Sequence, residues 1–329
     1  MSGTQAYPWL VADVGGSNAR FGMVRGPGLV VEDLAVLAVR DFAGPLEAVQ
    51  QYLGELAGQQ GAARVRPRHA ALAVATSVDG DEVLLTNSHW RFSCQALQQQ
   101  LQLHSLRVLN DFEALALALP GLRETQRRHW GAAPEARGCL AVIGPGTGLG
   151  VAGVVQTAAG WVPLPGEGGH ATLAPADDEE SELLAWVRRL HPHVSAERLL
   201  SGIGLPLLHE AVQARSGQAA QGGGLSSAEI LDRGLEGQDA LCRRTLEIFC
   251  AMLGGFAGSV ALTLGARGGV YVGGGIVPRL GDFFFASQFR ERFEAKGRFQ
   301  PYLAQIPTAV ITDTLAALGG AALAIEQGV

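Results

Sequence analysis

Two glycine-rich turns constrain what this chain can fold into more than any other feature. Residues 13–20 read Asp-Val-Gly-Gly-Ser-Asn-Ala-Arg, and residues 144–150 read Gly-Pro-Gly-Thr-Gly-Leu-Gly. A short apolar run precedes each turn and a β-like run follows it, which predicts strand, tight turn and strand in both places. Because glycine has no Cβ, backbone N–H groups in such turns can converge on an anion. We therefore expect two phosphate-binding turns, one in each half of the chain.

Two common nucleotide-binding motifs do not fit these turns. A dinucleotide-binding glycine turn must open a helix, whereas the residues after Gly150 are β-like. A P-loop requires a lysine within its motif, and the one lysine of the chain, Lys296, is followed by Gly297 and Arg298. Either turn alone is typical of an ordinary glycine hairpin. The two turns together favour a site that binds the phosphates of one nucleotide.

Length and charge narrow the class of protein. A chain of 329 residues exceeds what one hydrophobic core usually supports, so we expect two domains. Hydrophobic residues make up 47% of the chain and charged residues 17%, which is typical of a globular protein. The net charge of −6 argues against a nucleic acid or an anionic membrane surface as the partner.

Cysteine usage and hydropathy indicate the compartment. The four cysteines lack the spacing of metal ligands, and we expect buried free thiols, as in a reducing environment. The first residues show no basic segment followed by a long apolar stretch, and no stretch is predicted to be long enough to span a bilayer. The expected location is the cytoplasm.

The order of strands and helices predicts an α/β protein. Strands and helices alternate through residues 1–120, for which we expect a small α/β domain, with a helix at 45–57. Residues 121–312 are expected to form a large α/β domain, with a long helix at 238–264. An alanine-rich helix at 315–327 is predicted to return to the first domain, so that residues 313–329 complete it.

Asn110 and Asp111 are the strongest catalytic candidates. They lie where a predicted strand ends and a helix begins, and side chains at such strand ends face the cleft of α/β proteins. An aspartate there can accept the proton of a sugar hydroxyl that attacks a phosphoryl group. A helix N-cap is the alternative, and these two residues alone favour it.

Three further segments carry polar or glycine patterns of interest. Glycines surround Glu167 and His170, leaving room for a polyol, although a plain turn or a metal site would use the same residue types. Glu197, taken alone, is typical of an exposed acid at a helix start. Residues 273–275 are three glycines after a buried strand. Glycine there would allow close approach of a bound adenine, or close packing where the chain crosses between domains.

Taken in order, these segments resemble bacterial glucokinases, which are hexokinase-like sugar kinases of the actin-like ATPase superfamily. The match includes both glycine turns, Thr86-Asn87, the segment around Asn110-Asp111, and residues 164–170, 195–202 and 273–279. Seven motifs in the family's order are far more specific than any one of them. The resemblance implies a two-domain RNase H-like (actin-like ATPase/hexokinase) α/β fold with an active-site cleft between the domains.

The resemblance also implies roles for individual residues. Asp111 becomes the general base for the sugar 6-hydroxyl, and Asp13 lies near the Mg²⁺ that accompanies ATP, in contact with it directly or through water. The implied sugar ligands are Asn87, Asn110, Glu167, His170 and Glu197. The implied nucleotide-binding residues are Asp13, Gly15, Gly16, Ser17, Asn18, Gly146, Thr147, Gly148, Gly273, Gly274 and Gly275. The expected reaction is ATP-dependent phosphorylation of glucose, the first step of glycolysis, by a homodimer.

Some alternatives stay open at this stage. A kinase for fructose, mannose or an amino sugar would share these motifs, as would a non-catalytic sugar or nucleotide sensor on the same fold. The phosphoryl donor could be ATP, ADP or polyphosphate. The chain departs from the family at Ser77-Val78, where Pro-Val or Pro-Ile is usual. It lacks the Cys-x-Cys-Gly zinc motif of the related repressor and kinase family, which favours a plain kinase.

Overall fold

The computed structural model describes residues 6–60, 66–131, 133, 137–217 and 224–328. The strands are β1 (Trp9–Val14), β2 (Asn18–Val24), β3 (Val31–Ala38), β4 (His69–Val74), β5 (Glu82–Leu84), β6 (Arg91–Ser93), β7 (Ser105–Asn110), β8 (Arg127–Trp130), β9 (Cys139–Pro145), β10 (Leu149–Thr157), β11 (Gly160–Leu164), β12 (Gly269–Val272) and β13 (Thr308–Ile311). The helices are α1 (Pro45–Gln60), α2 (Cys94–Gln100), α3 (Asp111–Ala118), α4 (Asp178–Arg188), α5 (Leu205–Arg215), α6 (Ser227–Leu235), α7 (Ala240–Leu264), α8 (Ile276–Leu280), α9 (Asp282–Ala286), α10 (Phe289–Glu294), α11 (Gln300–Ala304) and α12 (Ala316–Gln327). Both predicted strand–turn–strand segments are confirmed.

The chain divides into two compact units. The first contains residues 1–122, 154–165 and 313–329, and the second contains residues 123–153 and 166–312. Residues 154–165 were predicted to lie in the large domain, whereas the structure groups them with the first unit. The reason is local contact, because β11 packs against α3 and the N–H of Trp161 donates to Gln327 Oε1.

A five-stranded sheet forms the centre of the first unit, in the order β3-β2-β1-β4-β7. β1 pairs antiparallel with β2 around the first glycine turn and parallel with β4, which pairs parallel with β7. Because β1, β4 and β7 run in one direction, their carboxyl ends lie at one edge of the sheet. Side chains of β1 and of the last helix, α12, share a core that includes Trp9, Val11, Leu318 and Ile325.

The larger sheet has the order β11-β10-β9-β12-β13-β8. Within the second unit, β12 pairs parallel with both β9 and β13. Apolar side chains of α7, among them Leu246, Phe249 and Leu253, are buried in the main core of this unit. Ser226 caps α6 in a capping box with Glu229.

The prediction that no stretch of the chain is long enough to span a bilayer was wrong. Helix α7 has 25 residues and an apolar window that, by length and composition, is sufficient to cross a bilayer. It is the only such helix within the described ranges, and 78% of that window is buried inside the protein. The helix is apolar on most sides because it lies at the centre of a protein core.

Candidate functional site

The first glycine turn lies directly against Asn87. The N–H of Gly15 donates to the carbonyl of Asn18 at 2.9 Å, which closes the turn. A Cβ on Gly16 would lie 2.7 Å from the carbonyl oxygen of Asn87, so only glycine allows this approach. The side chains of Ser17, Asn18 and Asn87 are exposed. The structure thus brings the predicted nucleotide turn and one predicted sugar ligand together.

Asp13 stands at the carboxyl end of β1, next to this turn. Its carboxylate accepts a hydrogen bond from Arg20 at 2.9 Å, and 15% of the side chain is exposed. Burial raises the pKa of Asp13, while the Arg20 guanidinium opposes that shift. A single partly buried carboxylate fits Mg²⁺, which keeps several waters and uses few protein ligands beside the phosphates.

Asn110 and Asp111 lie at the same edge of the sheet as Asp13. Val14 of β1 aligns with Val74 of β4, and Val74 aligns with Asn110 of β7. Two strand spacings separate β1 from β7, which is about 10 Å. This row of strand ends therefore places both polar residues near the first turn.

Asn110 forms the N-cap of α3, the alternative that the sequence left open. Its Oδ1 accepts hydrogen bonds from the N–H groups of Phe112 at 2.9 Å and Glu113 at 3.4 Å, and its Nδ2 donates to the Thr76 carbonyl at 3.2 Å. Asp111 is the first residue of the helix, half-buried, and its Oδ1 also accepts from the N–H of Phe112 at 2.9 Å. The capping role thus belongs to the asparagine.

Thr76 connects these residues to the segment that carries Asn87. The hydroxyls of Thr76 and Thr86 lie 3.2 Å apart, and Thr76 also accepts from Asn110 through its carbonyl. Thr76 was not among the predicted site residues. Its position two residues after β4, at the edge of the sheet where β1 and β7 also end, is the signal that would have found it.

In the second unit, residues 202 and 203 hold the second glycine turn in place. The turn closes with a hydrogen bond from the N–H of Gly146 to the carbonyl of Gly148 at 2.9 Å. Gly202 and Ile203 donate to the carbonyls of Gly146 at 2.8 Å and Thr147 at 3.2 Å. These contacts use carbonyl oxygens of the turn, and the Thr147 side chain is exposed.

Glu197 connects this turn to the loop that carries His170. Its Oε2 accepts a hydrogen bond from the N–H of Leu149 at 2.8 Å, and its own N–H donates to the carbonyl of Gly169 at 2.8 Å. A Cβ on Gly148 would lie 2.4 Å from the same Oε2, so a side chain there would displace the carboxylate from this position. Glu197 is therefore a fixed and partly buried group rather than an exposed acid at a helix start.

Three predicted sugar ligands meet in this unit. His170 Nδ1 lies 3.8 Å from Glu197 Oε1, and His170 Nε2 lies 3.9 Å from Glu167 Oε2. The Glu167 and His170 side chains are 65% and 60% exposed, whereas that of Glu197 is 22% exposed. Carboxylates accept from hydroxyls and imidazole can donate or accept, so the cluster suits a polyol.

His170 and Glu197 also line a cavity of about 370 Å³. Pockets of a few hundred cubic ångströms are the usual size for small-molecule sites. Sequence reasoning missed the remaining lining residues, of which Ser195 and Arg198 flank Glu197 in its own motif. The others are His191, Ile203, Pro206, Leu207 and Glu210.

The glycines at 273–275 lie beside the second turn. Gly273 donates to the carbonyl of Ile143 at 2.8 Å, and Gly274, with φ +77°, is so close that a Cβ would lie 2.4 Å from the Pro145 carbonyl. Gly275 has open space where a Cβ would stand. Crowding thus explains Gly274, whereas Gly275 leaves room for a ligand.

Among the described residues, no group of three or more His, Cys, Asp or Glu side chains is arranged to hold a metal ion. All four cysteines are free thiols. Burial raises the pKa of Cys250 to about 12, as expected of a structural rather than a reactive thiol.

Comparisons with known proteins agree with this architecture. The structure superimposes on the crystal structure of a glucokinase from an Antarctic psychrotroph with a TM-score of 0.89 and 37% identity, covering 98% of this chain and 99% of that one. The fold is therefore the actin-like ATPase/hexokinase fold, and the class of protein is that of the sugar kinases.

The sequence comparisons are more specific. The sequence model of the glucokinase family matches residues 10–328. The chain is 51% identical over 319 residues to a glucokinase of Chromobacterium violaceum, covering 97% of this chain and 89% of the relative. It is 49% identical over 325 residues to a glucokinase of Aromatoleum aromaticum, covering 98% and 96%. The chain belongs to the glucokinase family.

Proposed function

We propose that this protein transfers the terminal phosphoryl group of ATP to the 6-hydroxyl of glucose, with Asp111 as the general base. The observation that carries the assignment is that the two polar residues at the start of α3 have different positions and contacts. Asn110 caps the helix, and Asp111 follows it at the sheet edge that also bears Asp13 and the first glycine turn. A carboxylate at this sheet edge would accept the proton of the attacking sugar hydroxyl.

The sugar hydroxyls would be bound by two sets of side chains. In the first unit these are Asn87 and Asn110. The Oδ1 of Asn110 also accepts the capping hydrogen bond from Phe112, and its Nδ2 donates to the Thr76 carbonyl. In the second unit they are Glu167, His170 and Glu197. The proximity of His170 to both carboxylates supports this assignment.

The nucleotide would be bound by the two glycine turns, with Gly275 near the adenosine. Residues 15–18 and 146–148 would offer backbone N–H groups to the phosphates. Asp13 would hold Mg²⁺, directly or through water, and a bound Mg²⁺ would neutralise charge on the phosphates.

The proposed reaction balances with one proton transfer. The 6-oxygen of glucose forms a bond to the γ-phosphorus as the bond from that phosphorus to the β,γ-bridging oxygen breaks. Asp111 takes the proton of the hydroxyl. The products are glucose 6-phosphate, ADP and a proton, and exclusion of water would prevent hydrolysis of ATP.

Asp111→Asn tests the assignment, and Asp178→Asn is its matched control. Asp178 is likewise the first residue of a helix and follows a capping residue, Asp177, but it is exposed. We expect Asp111→Asn to lower kcat about 10²- to 10⁴-fold with glucose affinity changed by less than about threefold. The control should retain normal turnover. Loss of glucose binding together with turnover would assign Asp111 a structural role.

A substrate panel tests the sugar and the donor. Purified protein with Mg²⁺ is assayed for sugar phosphate and ADP with glucose, fructose, mannose and glucosamine, and with ATP, ADP or polyphosphate. We expect glucose with ATP to give the highest kcat/KM. Higher turnover of another hexose would change the substrate assignment. Absence of turnover would favour a non-catalytic sugar or nucleotide sensor.

Two further properties belong to the proposal. We propose a cytoplasmic enzyme, supported by the four free thiols. We also propose a homodimer, which sedimentation equilibrium would test directly. A monomer at all micromolar concentrations would contradict it.

A further inference from the structure

The last helix, α12, is in backbone contact with the helix that begins at Asp111. A Cβ on Gly320 of α12 would lie 1.7 Å from the carbonyl oxygen of Ala114 and 3.0 Å from the nitrogen of Ala118, both in α3. The two helices therefore meet where Gly320 has no side chain. Ala114 follows Asp111 by three residues, about 4.5 Å along the helix axis. The contact lies within one turn of the proposed base.

The far end of α12 is fixed by polar contacts. Gln327 Oε1 accepts a hydrogen bond from the N–H of Trp161 in β11 at 2.6 Å. Arg107 in β7 donates to the carbonyl of Gly328 at 2.7 Å. β11 packs on α3, and β7 is the strand that ends at Asn110. Helix α12 is thus bound to the elements on both sides of Asp111.

Helix α3 depends on such neighbours for its position. It has eight residues, too few for an isolated helix to be stable, so tertiary packing must hold it. Ala114, Ala116, Leu117 and Ala118 are buried. In α12, Leu318, Ala321 and Ile325 are buried in a core with β1. Because protein interiors are close-packed, a small displacement of α12 would be transmitted to α3.

We propose that α12 positions Asp111 for proton transfer. Gly320 is the positioning residue, because it sets the distance between α12 and α3. This inference rests on the proposed function of Asp111. A methyl group at position 320 would force the two helices apart by more than about 1 Å, and a misplacement of that size can lower turnover about 100-fold. Asn110, which caps the same helix, would move with Asp111. Glu167, His170 and Glu197 in the second unit would keep their own contacts.

Gly320→Ala tests the proposal, and Gly319→Ala is its matched control. Gly319 is the neighbouring residue in the same helix, and a Cβ there would meet no atom within 4 Å. We expect Gly320→Ala to lower kcat about 10- to 100-fold and to raise the glucose Kd from titration calorimetry by a smaller factor, because Asn110 is one of five proposed sugar ligands. The control should keep normal kcat. Normal kcat in Gly320→Ala would overturn the proposal.

A double variant separates positioning from general destabilisation. If Gly320 acts through Asp111, then Gly320→Ala should cost less than about twofold in kcat in an Asp111→Asn background. An equal loss in both backgrounds would overturn the proposal. The single variant Asp111→Asn tests the proposed function alone, because normal turnover there would remove the base whatever Gly320 does.

Gln327→Met provides a second test if Gly320→Ala does not fold. It keeps the side-chain length and removes the oxygen that accepts from Trp161. We expect a fall in kcat of about 3- to 10-fold, roughly what loss of one hydrogen bond produces, with a smaller change in glucose Kd. An unchanged kcat, or a raised glucose Kd with normal kcat, would overturn the proposal.

Discussion

Glu197 and Leu149 connect two parts of the candidate site, because Oε2 of Glu197 accepts the hydrogen bond of the Leu149 N–H at 2.8 Å. Leu149 lies within the second glycine turn, residues 144–150. The other carboxylate oxygen, Oε1, lies 3.8 Å from Nδ1 of His170. One carboxylate therefore contacts both the turn predicted to bind phosphate and a residue predicted to bind sugar.

Two substitutions at Glu197 should have different effects. Glutamine keeps an oxygen that can accept from Leu149 but loses the charge, whereas alanine loses both. We expect Glu197→Gln to raise the KM for glucose about 10-fold with the KM for ATP within twofold, and Glu197→Ala to raise both about 10- to 100-fold. Steady-state kinetics measure these values. Glu236→Gln, at an exposed glutamate, serves as the control. An unchanged KM for ATP in Glu197→Ala would contradict the proposed connection.

Gly274 and Gly275 should respond differently to alanine. At Gly274 the methyl would meet the Pro145 carbonyl and φ is +77°, so we expect a Tm lower by about 4 °C or more. At Gly275 the methyl would enter open space, so Tm should hold while the KM for ATP rises several-fold if adenosine lies there. Calorimetry and kinetics check the pair. Gly255→Ala, at another open position, is the control, and a normal KM in Gly275→Ala would remove Gly275 from the nucleotide site.

Removal of Arg20 should change how activity depends on pH. Burial raises the pKa of Asp13 and the Arg20 cation lowers it, so Arg20→Met leaves burial unopposed and the pKa of Asp13 rises further. If Mg²⁺ requires the ionised carboxylate, the acid limb of kcat/KM for ATP should move to higher pH. A pH profile measures this shift. Arg40→Met, at an 89% exposed side chain, is the control, and an unmoved limb would exclude Asp13 from the metal.

His209 should make the fold sensitive to acid. It is buried in α5, its Nδ1 lies 2.9 Å from the Thr245 hydroxyl, and burial lowers its pKa. Its Nε2 has no partner among the described residues. The unfolded chain takes up the proton near pH 6.5 and the folded chain does so only at lower pH, so stability is lost as the pH falls below about 6.5.

His209→Asn should flatten this dependence, because the amide can replace Nδ1 opposite Thr245 and does not titrate. We expect the fall in Tm between about pH 7.5 and 5.5 to be smaller in the variant, although its Tm at neutral pH is lower. Differential scanning calorimetry measures both. His104→Asn, at an exposed histidine, should leave the fall unchanged. Parallel curves for His209→Asn and the parent protein would assign the acid sensitivity to other groups.

Elements with a strong local pattern could be predicted from the sequence. The helix that begins at Pro45 has apolar residues at helical spacing, and both glycine turns lie between apolar runs. In contrast, no strand was predicted for β8, which reads Arg-Arg-His-Trp and lacks alternation. It is a strand because it pairs with β13, nearly 180 residues later in the chain.

The sequence by itself determined the two glycine turns, the polar residues at the strand ends, and the motifs that mark the family, since each depends on neighbours within a few residues. It did not determine that Asn110 rather than Asp111 caps α3, because both residue types suit that position. Only the tertiary structure decided that Glu197 accepts from Leu149 and that Gly320 meets Ala114. Those contacts join segments 48 and more than 200 residues apart, and packing of whole elements brings them together.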